Sequence, residues 1–215
     1  VNDAELRELQ RQADQGSLEA SVQVLGERTR RGETSRDRLR LAAFLGEPAS
    51  QELVEERAPS ADPQGFVRGL WALELEDPKL RELTGVRIAL AAVALVQPLF
   101  EEERPNDDRP ARMLLATAAW AREPSRETAR LTRGRLSERI DSLRFERIQS
   151  AIRLTAAAAE LAESPSDTST RRSLFAAASA VELAMELVGP KPVRDAIEAA
   201  VYPWLLGRLD PLAPA

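Results

Sequence analysis

The chain has 215 residues, 43% of them hydrophobic and 30% charged, which separates it from disordered and membrane-embedded proteins and allows a core without disulfides or metal. It holds no Cys and no His, which excludes thiol nucleophiles, imidazole acid–base catalysis and nearly all zinc, copper and haem sites. A formal net charge of −5 argues mildly against general binding to nucleic acid or anionic membranes.

Ala, Leu and Arg occur 35, 30 and 28 times, against 2 Lys. The preference for Arg over Lys points to a high-GC bacterial genome rather than to a functional choice. Ala, Leu, Arg and Glu are strong helix formers, whereas aromatics are only 4% and β-branched residues are sparse. The expected fold class is all-α, with about ten helices and no convincing strand.

The first helix is expected from Asp3 to Asp14, with Leu6 and Leu9 on one face and Gly16 as its stop. Ser17 caps the second, which carries Val22, Val24 and Leu25 and ends at Gly32. The third starts near Thr34 or Ser35, buries Leu39, Leu41, Ala42 and Leu45, and ends at Gly46. Pro48 opens the fourth, at a position where its missing N–H costs nothing; it carries Leu53 and Val54 and stops before Pro59. This helix–Gly–helix rhythm over residues 1–58 predicts two helical hairpins of repeat-like character, without a repeat signature. The stretch from Ala58 to Gly65 contains two Pro, a Ser, an Asp and a Gly, and is the best candidate boundary. Residues 66–215 are expected to form an antiparallel helical bundle, making one integrated unit with the hairpins.

In that second part a helix with Phe66, Leu70, Trp71, Leu73 and Leu75 ends near Asp77. The next runs from Pro78 to about Glu103; its centre is apolar on nearly all sides, which marks a central buried helix. Pro98 is expected to kink or end it, because the ring clashes with the carbonyl of Ala94. Asp108 is expected to cap the following helix, which carries Met113, Ala116 and Trp120. A long helical stretch spans Ser125 to Ser164, another helix runs from Asp167 to Leu187 and stops at Gly189, and the last starts at Pro192, carries Ile197, Val201, Trp204 and Leu205, and ends near Gly207. Ala156–Ala159 and Ala162 in one helix, and Ala176–Ala178, Ala180 and Ala184 in the next, predict a tight Ala-rich antiparallel hairpin. The charged first residues lack the apolar core of a signal peptide, and the longest apolar run, Ile88 to Val96, is too short to span a bilayer. With no Cys as well, a cytoplasmic location is expected.

Two stretches carry a resemblance. Gly26 to Ala49 has the pattern Arg-x-Gly-Glu, then Arg-Leu and Ala-x-x-Leu-Gly-x-Pro-Ala, and resembles a segment of uncharacterised all-helical proteins of high-GC bacteria such as myxobacteria. Gln97 to Ala121, with its Pro-x-Asp-Asp-Arg-Pro loop opening a helix with Ala-x-x-x-Trp, is similar to a stretch of putative immunity proteins. The resemblance implies an all-helical protein that shields a toxin, and it supplies no catalytic residue.

The residues themselves offer little chemistry. Glu101, Glu102, Glu103, Asp107 and Asp108 form an acidic run, but consecutive side chains on a helix point apart, so a solvated helix end with an N-cap is the simpler reading. Lys79 and Lys191 both sit beside Pro at helix starts, unsuited to activate a serine. No Gly-rich phosphate loop is present. No catalytic residue, metal ligand or cofactor is therefore assigned. What remains is arginine. Arg126, Arg130 and Arg133 share one helical stripe, and Arg36 and Arg40 belong to a second group around Gly32. Interleaved acids favour ion pairs on a wet face, yet both groups are candidate partner-binding sites. Trp71, Trp120 and Trp204 lie on apolar helical faces, as core or as interface anchors. The expected function is a non-enzymatic helical scaffold that binds another protein, as an immunity or adaptor protein. The alternative is a nucleic-acid-binding accessory protein using the Arg-rich face, which the net charge disfavours. No membrane partner is expected, and homo-oligomerisation is left open.

Overall fold

The computed structural model describes residues 2–54, 65, 68–69, 72, 75–125, 127–128, 130–131, 167–207 and 210–212. Among these described residues there are eight helices and no strand, so the protein is all-α. Most of the helix expected over 125–164, most of the one expected over 66–77, and Trp71 lie outside the described residues. The chain divides into two compact units, Val1–Pro59 with Tyr202–Asp210, and Ser60–Val201 with Pro211–Ala215.

The first unit contains α1 (Asp3–Asp14), α2 (Leu18–Arg30), α3 (Arg36–Leu45) and α4 (Pro48–Val54). Each start has a local chemical cause. Asn2 and Glu5 form a reciprocal capping box at α1, each side chain accepting from the other's backbone N–H at 2.9 Å. Ser17 and Ser35 accept from Ala20 and Arg38 at the starts of α2 and α3. At the end of α3, Gly46 takes φ +107°, and the Glu47 amide turns back to donate to Ala42 at 2.9 Å. Helix α2 packs on α1 and on α4, and α3 packs on α4. Val24, Leu25, Leu39, Leu41, Ala42 and Leu45 are buried, as their spacing predicts. Helix α1 buries no residue completely; Leu6 and Leu9 are half-buried, and Asp3 pairs with Arg31, the residue that follows α2, at 3.2 Å.

The second unit is built on α5 (Pro78–Glu103), against which α6 (Arg109–Arg122) and α7 (Asp167–Val188) pack. Asp77 caps α5 by accepting from Lys79 and Leu80, and Pro78 occupies the first turn. From Val86 to Val93 every residue of α5 is buried, as the all-round apolar sequence requires. At 26 residues α5 is nearly three times the length of its longest apolar run. The segment Lys79–Glu102 is long and apolar enough to cross a membrane by length and composition alone, and 67% of its most apolar window is buried inside the protein.

Pro98 does not end α5, which continues to Glu103. Pro98 and Ala94 are both exposed, so the turn that loses a hydrogen bond lies on the solvent side of the helix, where an unpaired carbonyl costs least. Ala176, Ala177, Ala178, Ala180 and Ala184 are buried on α7. Their expected partners, Ala156–Ala159 and Ala162, lie outside the described residues; the helix seen packed on α7 is α5. The two backbones come close at Gly85, where a Cβ would stand 2.8 Å from both the carbonyl carbon and the oxygen of Ser173.

The last helix, α8 (Pro190–Leu205), starts two residues before the expected Pro192, since both prolines fit a first turn that needs no N–H donor. Gly189, with φ +89°, separates it from α7. Val193, Ile197 and Val201 are its buried positions in the second unit, and from Tyr202 onward its last turn belongs to the first.

Gly85→Ala is expected to destabilise the protein by about 1–3 kcal/mol, because backbone atoms of Ser173 cannot move aside as a flexible side chain does. Gly26→Ala, inside α2 with only Leu53 Cδ2 at 3.7 Å, is expected to gain about 0.5–1 kcal/mol. Urea melts of the two variants beside the parent protein check the opposite signs.

Candidate protein interaction surface

Of the five arginines picked out by sequence, Arg36 is exposed at the start of α3 and Arg40 is half-buried one turn later on the same helix. Arg130 is exposed. Arg126 and Arg133 lie outside the described residues, so only one member of that stripe is placed. Arg36 and Arg40 are thus the pair that the structure brings to one helix face.

Their neighbours in the same cluster have other tasks, which the sequence reading missed. Arg38 Nη1 donates to the carbonyl of Trp204 at 2.9 Å and to that of Leu205 at 3.4 Å. Its guanidinium also lies 5.1 Å from the centre of the Trp204 ring, a cation–π contact. Arg28 Nη1 donates to the carbonyl of Leu206 at 3.1 Å. These carbonyls end α8, where the helix offers them no donor and its dipole favours positive charge. The Tyr202 hydroxyl donates to the Leu45 carbonyl at 2.5 Å. It reaches that carbonyl beside Gly46, where an added Cβ would stand 3.3 Å from the hydroxyl oxygen. Leu205 and Leu206 are buried, and Trp204 is half-buried. The segment Tyr202–Leu206 is therefore held at its backbone, its two aromatic side chains and its two leucines. Spacing along the chain gives no signal for contacts that link residues more than 150 positions apart.

Glu27 shows how the remaining charges of α2 are used. It is buried, and its two oxygens pair with Arg30 at 2.7 Å and Arg31 at 2.9 Å. The Arg31 hydrogen bond holds its carboxyl below the ordinary range, against the opposing effect of burial.

The second surface is the loop between α5 and α6. Arg104, Pro105, Asn106, Asp107, Asp108, Arg109 and Arg112 line an open depression of about 590 Å³. Asp108 stands at the cap position but makes no side-chain cap bond, a departure from the sequence expectation. Its backbone, at ψ 0°, is not extended, and its carboxylate instead pairs with Arg112 at 3.3 Å. Asp107 takes over the first turn. Its Oδ1 accepts from the Arg109 amide at 3.2 Å and from Arg109 Nε at 2.7 Å, and Oδ2 accepts from Nη2 at 2.6 Å. Glu101 and Glu102 are exposed on the last turn of α5. Among the described residues no three acids converge into a possible metal site.

Arg109 keeps the Asp107 carboxyl below its ordinary 3.8, so the pair stabilises the folded state fully above that pH and loses its contribution as pH falls through the lower folded-state value. Asp107→Asn is expected to cost about 0.5–1 kcal/mol near neutral pH, and the difference from the parent is expected to shrink once the pH drops below 3.8. Denaturant melts of both proteins across that range test the trend.

No protein-family model, no curated protein and no solved structure matches this chain.

Proposed function

We propose that this protein is a non-enzymatic helical scaffold that binds another protein, of the immunity or adaptor kind, in the cytoplasm. The observation that carries the reading is the packing order of the first unit: α1 on α2, α2 on α4 and α3 on α4. Two helical hairpins stacked through α2 and α4 would account for that order, which supports a repeat-like reading of the Gly-punctuated sequence. Such stacks spend one face of each helix on their neighbours and leave the other for a partner. Arg36 is exposed on α3, and Arg40, half-buried, follows one turn on. Arginine at such a site offers a planar, multidentate donor suited to carboxylates on another protein. In the second unit, the burial of α5 under α6 and α7 supports its role as the core of a soluble bundle.

The test is affinity capture with the full chain as bait, using extract from the source organism. The parent protein is expected to retain one protein in near-equal amount. Replacing Arg36 and Arg40 together by Glu is expected to weaken that capture about tenfold or more, as charge reversal at an interface does. The same proteins are then titrated with labelled DNA and RNA. Nucleic-acid binding that rises steeply as salt falls, with no protein captured, replaces this reading with the nucleic-acid alternative.

A further inference from the structure

The segment Tyr202–Leu206 is seated on the hairpins of the first unit in the manner of a bound ligand. Chain connectivity does not place it there: residues 60–201 intervene between the hairpins and the segment. Its three successive carbonyls, of Trp204, Leu205 and Leu206, are taken by Arg38 and Arg28. Those bonds read no side chain, so any helix C-terminus can make them. Selectivity comes from the side chains. The Tyr202 hydroxyl donates to Leu45 beside the Cβ-free Gly46, the Trp204 ring lies against the Arg38 guanidinium, and Leu205 and Leu206 are buried. Backbone capture with side-chain selection is the physical form of peptide recognition.

We infer that the first unit is a receptor for the C-terminal end of a partner's helix bearing an aromatic pair followed by two leucines, and that residues 202–206 occupy it in cis. A tethered segment competes at high effective concentration, so a partner helix gains access only to the fraction of molecules in which the segment has left. This inference rests on the protein-binding reading and names the chemistry of one site for it.

The experiment uses the full chain and a fluorescent peptide with the sequence of residues 190–207. Anisotropy titrations compare the parent protein, a Tyr202→Ala/Trp204→Ala variant, and that variant with Arg28→Ala and Arg38→Ala added. Weakening the cis occupant is expected to raise the peptide affinity by at least about tenfold, since the competent fraction rises. Removing the two arginines is expected to abolish the gain. Equal binding by the parent and the first variant overturns the inference, as does a gain that survives the loss of both arginines. Should the first variant lose its helical circular dichroism, Tyr202→Phe, which removes one hydroxyl, takes its place under the same criteria. A chain that ignores the peptide yet still loses its captured protein on reversal of Arg36 and Arg40 refutes the receptor alone. A chain that takes the peptide but captures no protein refutes the broader reading instead.

Discussion

The last carbonyls of a helix have no donor within the helix, and in this protein arginine supplies one repeatedly. Arg38 and Arg28 do so at the end of α8. Within the second unit, the buried Arg87 of α5 donates to Ala121 at 3.0 Å, near the end of α6. A buried carbonyl without a partner costs about 1–3 kcal/mol, and a guanidinium with five donors serves two carbonyls at once, as Arg38 does. In a chain with 28 Arg, 2 Lys and no His, these junctions depend on one residue type.

The two units use different packing to bring helices together. In the first, the half-buried apolar face of α1 is supplemented by charge: Asp3 reaches Arg31 from α1, and Glu27 is buried and pairs with Arg30 and Arg31. In the second, small residues let backbones approach. Gly85 lies against Ser173, and five alanines are buried on α7. The first kind of contact responds to pH and salt, and the second to volume.

Elements set by neighbours in sequence are legible in the sequence itself. The bounds of α1, the Ser17 and Ser35 caps, the turn at Gly46 and the all-round apolar centre of α5 follow from local chemistry. The failures arise where the third dimension decides. Pro98 does not end α5, because which side of the helix faces water is set by packing. Asp108 looked like the cap of α6, and one dihedral angle gave the first turn to Asp107 instead. The arginine group around Gly32 was visible as a group, but its division was not: Arg36 stays exposed, whereas Arg28 and Arg38 turn to carbonyls far along the chain. Identical side chains at neighbouring positions carry no mark of that difference.

The return of the chain to its starting unit also fixes an order of events during synthesis. The four N-terminal helices leave the ribosome long before Tyr202, whose hydroxyl meets Leu45. Residues 60–201, some 140 in number, must first be added, a wait of roughly 7–30 s at bacterial or slower elongation rates. Throughout that interval Leu45 lacks its phenolic donor, and Arg28 and Arg38 are free of the carbonyls they later hold. The unit begun first therefore stays incomplete until most of the second has been made.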